Sequence, residues 1–179
     1  MGLGVYQNPE LVSKGESAVG VGVTYLVVTN KFGYFMPTPE PYFRYGLSEN
    51  QEITVRIPLI ASILGNEGFF LLSGGYRMAV KNFIFSGDLL FYGGSQSGAF
   101  LVEPGVFYRY NQYVAGIQVA GGAVESRIRL PAFIRFYAAK SFNWKNEKIL
   151  PGVQLSYAPG NGISLILELG LQHSGIFKR

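Results

Sequence analysis

"PYFRYGLSENQEITVRIPLI", residues 41–60, decides which solvent the chain is built for. Two stretches alternate polar and apolar side chains about the tight polar connection Ser48-Glu49-Asn50-Gln51. Period-two alternation is the pattern of a β-strand, and a short polar link between two such stretches predicts a hairpin. In the second stretch Glu52, Thr54 and Arg56 share one face, and Ile53, Val55, Ile57 and Leu59 share the other. One face carries opposite charges; the other is continuous hydrocarbon. With the apolar face inside, this is a soluble β-protein. With it outside, the solvent is lipid.

The composition leans towards lipid. Only 15% of the 179 residues are charged, against about 25% in an ordinary globular domain. Aromatic residues make up 15%, and there are 24 glycines. Yet no run approaches the roughly 18 uninterrupted apolar residues of a membrane helix; the apolar residues are spread, mostly at every second position. With no cysteine there is no disulfide framework, thiolate metal site or cysteine nucleophile. The net charge of +4 comes without a Lys/Arg cluster, so nucleic acid is not an expected partner. Met1-Gly2-Leu3-Gly4 has neither the basic start nor the apolar run of a signal peptide, which fits a mature chain with an added Met.

The alternation recurs along the chain, punctuated by turn residues. It predicts ten strands, at 17–27, 38–47, 52–61, 68–80, 83–93, 99–110, 113–122, 129–141, 149–158 and 162–173, with eight as the alternative count. Short connections (48–51, 81–82, 111–112) alternate with longer ones (29–37, 64–67, 93–98, 123–128). The connection 142–148 reads as longer than this pattern asks, and 159–162 as shorter. An even strand number puts both chain ends on one side.

Following every second residue separates two faces. One collects five arginines, Arg44, Arg56, Arg77, Arg109 and Arg135, and four acids, Glu52, Asp88, Glu103 and Glu168. It also holds Gln118, Gln154, Gln172 and small residues such as Gly20, Gly75, Gly105 and Gly116. The other carries no charge and includes Ile53, Val55, Leu89, Ile134 and Leu167. A face of arginine and carboxylate without strand-centre lysine suits an enclosed, ion-paired interior, because guanidinium forks match carboxylates and unpaired buried charge is costly. Charge is therefore expected inside and hydrocarbon outside against lipid, and strands in lipid must close into a barrel to satisfy their backbone. Expected pairs are Arg56 with Glu52 or Asp88, and Arg109 with Glu103. Tyr45, Tyr108, Tyr110, Tyr113, Trp144 and Tyr157 are expected to form an aromatic girdle beside the short turns, with Phe69, Phe70, Phe91, Tyr92 and Phe100 near the longer loops.

The hairpins "PYFRYGLSENQEITVRI", "YRMAVKNFIFSGDLLFYGG" and "PGVFYRYNQYVAGIQVAGG" resemble those of small, porin-like bacterial outer-membrane β-barrels. The resemblance is one of pattern and covers nearly the whole chain. It implies assembly by the barrel-assembly machinery, periplasmic termini and longer loops outside. Such barrels usually end on an aromatic residue; here Phe177 is followed by Lys178 and Arg179.

Catalytic chemistry has little support. The single histidine, His173, is followed by Ser174, and on a strand these neighbours point to opposite faces. No acid lies near them in sequence. No metal-ligand spacing occurs, so neither metal nor cofactor is expected. Residues 93–98 are Gly-rich but lack the following Lys and helix of a phosphate cradle. Residues 125–129 form the most charged loop, a candidate contact for lipopolysaccharide phosphate.

The chain is thus expected to be an all-β, antiparallel up-and-down transmembrane barrel over 16–177, preceded by a periplasmic segment at 1–15, in a bacterial outer membrane. The expected role is structural or surface-interacting, with membrane lipid and lipopolysaccharide as partners. The alternative is a narrow, weakly anion-selective channel for small solutes, the selectivity following from the arginine excess. A lipid-modifying enzyme or a soluble ligand-binding barrel ranks behind both.

Overall fold

The structure, a computed structural model, describes residues 10–28, 37–57, 70–93, 98–124, 127–145, 147–159 and 162–174. Within strands, the side chains of residues 25–28, 37–38, 70–71, 92–93, 98–99, 124, 127–132 and 174 are not described. Eleven strand segments follow one another: β1 (Ser17–Val28), β2 (Pro37–Ser48), β3 (Gln51–Arg56), β4 (Phe70–Val80), β5 (Phe83–Gly93), β6 (Gly98–Tyr110), β7 (Tyr113–Val124), β8 (Arg127–Lys140), β9 (Phe142–Trp144), β10 (Glu147–Ala158) and β11 (Gly162–Ser174). Each pairs antiparallel with its sequence neighbour, except that β8 and β9 both pair with β10. Gly152 faces Ala139 and Ile149 faces Phe142 in unbroken register, so β8 and β9 form one stave interrupted at Ser141. The pairing of β1 with β11 then closes a barrel of ten staves. Among the described residues each of the ten staves thus has a ladder on both sides, the condition a strand must meet in hydrocarbon. Eight strands, the alternative count, is excluded.

The hairpins explain the register. Val80 pairs with Phe83 across Lys81-Asn82, and Tyr110 pairs with Tyr113 across Asn111-Gln112. Lys81 and Asn111 take positive φ of 54° and 52°, which lets a two-residue link follow the strand twist. These turns share one end of the barrel, with the Ser48–Gln51 connection and the strand ends nearest both termini. Adjacent hairpins are tied there by a repeated bond: the amides of Ala79, Arg109 and Ser141 donate to the carbonyls of Asn50, Asn82 and Gln112.

The connection read as long, 142–148, is a correction. Phe142–Trp144 and Glu147–Ala158 are both strand, and Lys145 turns at a φ of 57°. The ladder from Trp144–Glu147 to Phe142–Ile149 leaves only a tight turn. The exposed Asn143 hid the alternation there, because beyond the barrel rim an inward-parity residue meets solvent. β3 is Gln51–Arg56; beyond Ile57 the expected strand to 61 falls among residues 58–69, which lie outside those described, as do residues 29–36, 94–97 and 125–126 of the other long connections.

Parity sorts the described side chains. Ile53, Val55, Leu89 and Leu167 point outward and are 38–44% exposed; Ile134 is outward and half-buried. Arg44, Glu52, Arg77, Glu103 and Arg135 point inward and are at most 3% exposed. An apolar exterior around a charged interior, on a closed up-and-down barrel, is the architecture of a small outer-membrane β-barrel. Among the described residues no helix is long and apolar enough to cross a membrane. Leu167 lies in the middle of β11, so Leu167→Arg should destabilise the barrel by about 2–4 kcal/mol. Denaturant unfolding in lipid vesicles checks this; a cost near zero would place Leu167 away from hydrocarbon.

Candidate functional site

The interior is organised around two ion-pair clusters. In the first, Glu52 on β3 receives Arg44 from β2 and Arg77 from β4. Arg44 Nη2 lies 2.7 Å and Arg77 Nη1 2.7 Å from its oxygens, and Arg44 Nε adds a bond of 3.0 Å. The register makes this possible, since Glu52 is paired with Arg77 across β3–β4 and with Gly46 across β2–β3. Arg44 also reaches over β1: its Nη1 donates to Gln172 Oε1 on β11 at 2.6 Å.

The second cluster lies on β3 to β8. Arg56 Nη2 lies 3.2 Å from Asp88 Oδ1 and donates to Ser73 Oγ at 3.0 Å. Gln118 Nε2 donates to Asp88 Oδ2 at 3.0 Å, and Arg135 Nη1 donates to Glu103 Oε2 at 3.2 Å. The Arg135 guanidinium also stacks 4.1 Å from the centre of the Phe133 ring. Pro104 has no N–H, and the β6–β7 ladder lapses between Val102 and Gly105; Gln118 Nε2 offers a donor to the Glu103 carbonyl there at 3.3 Å.

Of the expected pairs, Arg56–Asp88 forms. Arg109–Glu103 does not. Arg109 has inward parity but sits at the rim, where its Nη2 donates to the Lys81 carbonyl at 2.9 Å, and Arg135 occupies Glu103 instead. Sequence reading also missed Glu40, fully buried on β2 and bonded by Thr24 Oγ1 at 2.8 Å. Arg56 is attracted by Glu40 and Glu168 as well as by Asp88 and Glu103. Among the described buried residues there are four arginines and five acids. Among those buried residues the acids thus outnumber the arginines by one.

Charge is not all that fills the lumen. Ala79, Ile84, Phe107, Val114, Tyr137 and Ala139 form a buried apolar cluster inside the barrel towards the short-turn end. Phe107 and Tyr137 meet edge-on with centroids 6.0 Å apart. Leu11, ahead of β1, packs against this cluster.

Leu11 belongs to a segment that enters the lumen. The Val12 amide donates to Glu52 Oε2 at 2.9 Å, and the Glu10 carbonyl accepts from Arg44 Nη2 at 2.9 Å. Gly15 N–H donates to the Gly46 carbonyl and Gly46 N–H to the Glu16 carbonyl, while Glu10 pairs with Lys148 of β10. Gly46 is what admits the segment: a Cβ there would lie 2.1 Å from the Ser13 carbonyl oxygen. Below it, Glu10, Asn82, Arg109, Tyr110 and Asn111 line a cleft of about 310 Å³ at the short-turn rim.

On the outer surface His173 Nδ1 stands 2.7 Å from Glu147 Oε1. The acid absent from the local sequence is supplied by the neighbouring strand; the Ser174 side chain lies outside those described. Tyr45, Tyr108, Tyr110, Tyr113 and Trp144 are exposed on the outer face near the short-turn end. Tyr157 is exposed too, but at the opposite end, because β10 runs from Glu147 up to the connection at 159–161. There it joins Phe91 and Phe100, which pack 5.0 Å apart on adjacent strands. Phe69, Gly94–Ser97, Glu125, Ser126, Phe177, Lys178 and Arg179 lie outside the described residues, as do the side chains of Phe70, Tyr92, Arg127 and Arg129.

No family model and no curated protein matches the chain. Among solved structures it is similar to the KdgM porin, at 9% identity and a TM-score of 0.46 over 87% of this chain and 98% of that one. It is also similar to Ail, the attachment invasion locus protein of Yersinia pestis, at 13% identity and a TM-score of 0.35 over 90% and 99%. At such identities and overlap the likeness is one of general barrel form and transfers no role.

Glu52→Gln leaves two buried guanidinium groups facing a neutral amide. Removing one member of a buried pair costs about 3–5 kcal/mol, whereas the rim residue Arg109, changed to Gln, should cost under about 1 kcal/mol. Unfolding midpoints of the two variants in one detergent check the order; equal effects would deny Glu52 its central place.

Proposed function

We propose that the chain resides in a bacterial outer membrane as a sealed barrel with a structural or surface-interacting role, not as a channel. The observation that carries this is the filling of the lumen around Glu52: a carboxylate that is 0% exposed, held by arginines from two strands and capped by the Val12 amide. Ten strands enclose only modest space beyond what inward side chains fill. Here that space holds two ion-pair clusters, an apolar cluster and the Glu10–Glu16 segment. Lipid is the surrounding partner, and the barrel-assembly machinery is the route of insertion that such a fold uses. Catalysis has no support beyond the surface His173–Glu147 contact.

The competing reading, a narrow anion-selective pore, draws less support. With five buried acids to four buried arginines among the described residues, a pore through this lumen would favour cations. Planar-bilayer recording decides between the two. The native protein should show no steady single-channel steps. Gly46→Val, which drives the Ser13 carbonyl from its seat, should add intermittent steps that favour potassium over chloride. Stable conductance by the native barrel would overturn the sealed reading.

A further inference from the structure

The ion pairs inside the barrel do not use Lys140 or Lys145. Among the described strand residues, charge on the outer face is confined to Lys140, Glu147 and His173, all at the short-turn end. Glu147 and His173 engage each other. Lys140 has no carboxylate within ion-pairing distance among the described residues. Its ammonium sits instead between two rings, 4.5 Å from the centre of Phe142 and 4.9 Å from that of Tyr113. On the turn that follows, Lys145 lies 6.0 Å from the Trp144 ring and is likewise without a described carboxylate.

We propose that Lys140 and Lys145, set against Tyr113, Phe142 and Trp144, bind phosphates of anionic phospholipids in the leaflet on the short-turn side. This rests on the membrane reading above. Ring faces attract an ammonium but accept none of its N–H groups as a carboxylate would, so the donors stay open to an anion. Among the described rings Tyr113 and Trp144 are two of the most exposed, at 53% and 59%, and Phe142 is exposed as well at 41%. Amphipathic rings on the outer face of a barrel settle at headgroup depth, which brings both ammonium groups level with lipid phosphates. The rings also hold the Lys140 stem in place, so less side-chain freedom is lost when the anion binds. The nearest acid across the ladder, Glu147 opposite Trp144, is turned to His173 and does not compete for either lysine.

The chain's single tryptophan is Trp144, a reporter inside the proposed site. The test measures quenching of its fluorescence in phosphatidylcholine vesicles. These carry, at equal mole fraction, either phosphatidylglycerol or phosphatidylcholine brominated on the acyl chains. One lysine near an anionic surface corresponds to about a fivefold change in association. The native barrel should therefore favour phosphatidylglycerol at least about fivefold, and the Lys140→Gln, Lys145→Gln double variant should quench equally with both lipids. Equal quenching of the native protein by the two lipids overturns the site, as does a preference that survives in the double variant. Absence of quenching by either lipid overturns the site and the membrane reading together.

Discussion

A carboxylate shut away from water must find its hydrogen bonds in the protein, and Glu52 finds them in three places at once. Arg44 and Arg77 come from the strands on either side, and the Val12 amide comes from ahead of the barrel. Each contact sets a distance that other parts obey. Arg44 carries the tie on to Gln172 on β11, so one residue links β3 to both sides of the closing strand β1. The net gain in stability from such a cluster is small, because burying the charges offsets much of their attraction. Its effect is selective: any register that moves Glu52 by one residue turns the charge into lipid and leaves two guanidinium groups unmatched.

Large inward side chains need vacant ground opposite them, and the glycines supply it. A Cβ on Gly20 would lie 2.3 Å from Tyr42 Cζ, and one on Gly116 would lie 2.6 Å from Phe107 Cδ1. Tyr42 and Phe107 are buried because those two positions have no side chain. Inward glycine in a narrow barrel therefore has a meaning opposite to that in a wide one. It is a seat for a neighbouring ring and not a widening of the lumen.

Much of this was legible in the alternation. The ten staves and the two faces follow from counting by twos, because a pleated strand can do nothing else with its side chains. What failed failed for stated reasons. Arg109 has the right parity but the wrong depth, and depth depends on strand tilt, which parity does not carry. Tyr157 sits beside a short connection, yet that connection closes the other end. Glu40 lies within the expected strand 38–47 and shares the parity of Arg44, so counting by twos does reach it; the prolines on either side can stand in a strand because each presents its side without an N–H to solvent or lipid. The inward Ile84, Val114, Leu150 and Ile166 were hidden by the rule that placed hydrocarbon outside. That rule holds on the lipid face, where charge is excluded. It does not hold in the lumen, where both kinds of side chain pack. The Glu10–Glu16 segment shows no alternation at all, and only Gly46, an inward position kept empty, hints that something must pass there.

The lumen holds two materials, and neither suffices alone. Ion pairs are matched in charge but leave polar paths along which a small ion can trade partners. Four arginines among five acids, with Arg56 drawn by four of them, offer such exchange to a cation. Ile84, Phe107 and Val114 of the apolar cluster offer no polar partner, so an ion entering there would lose its hydration with little in return. The Glu10–Glu16 segment bridges the two. Its Leu11 extends the apolar cluster and its backbone completes the coordination of Glu52, so removing it would weaken both barriers in one movement. The segment thus joins both fillings of the lumen at the short-turn end.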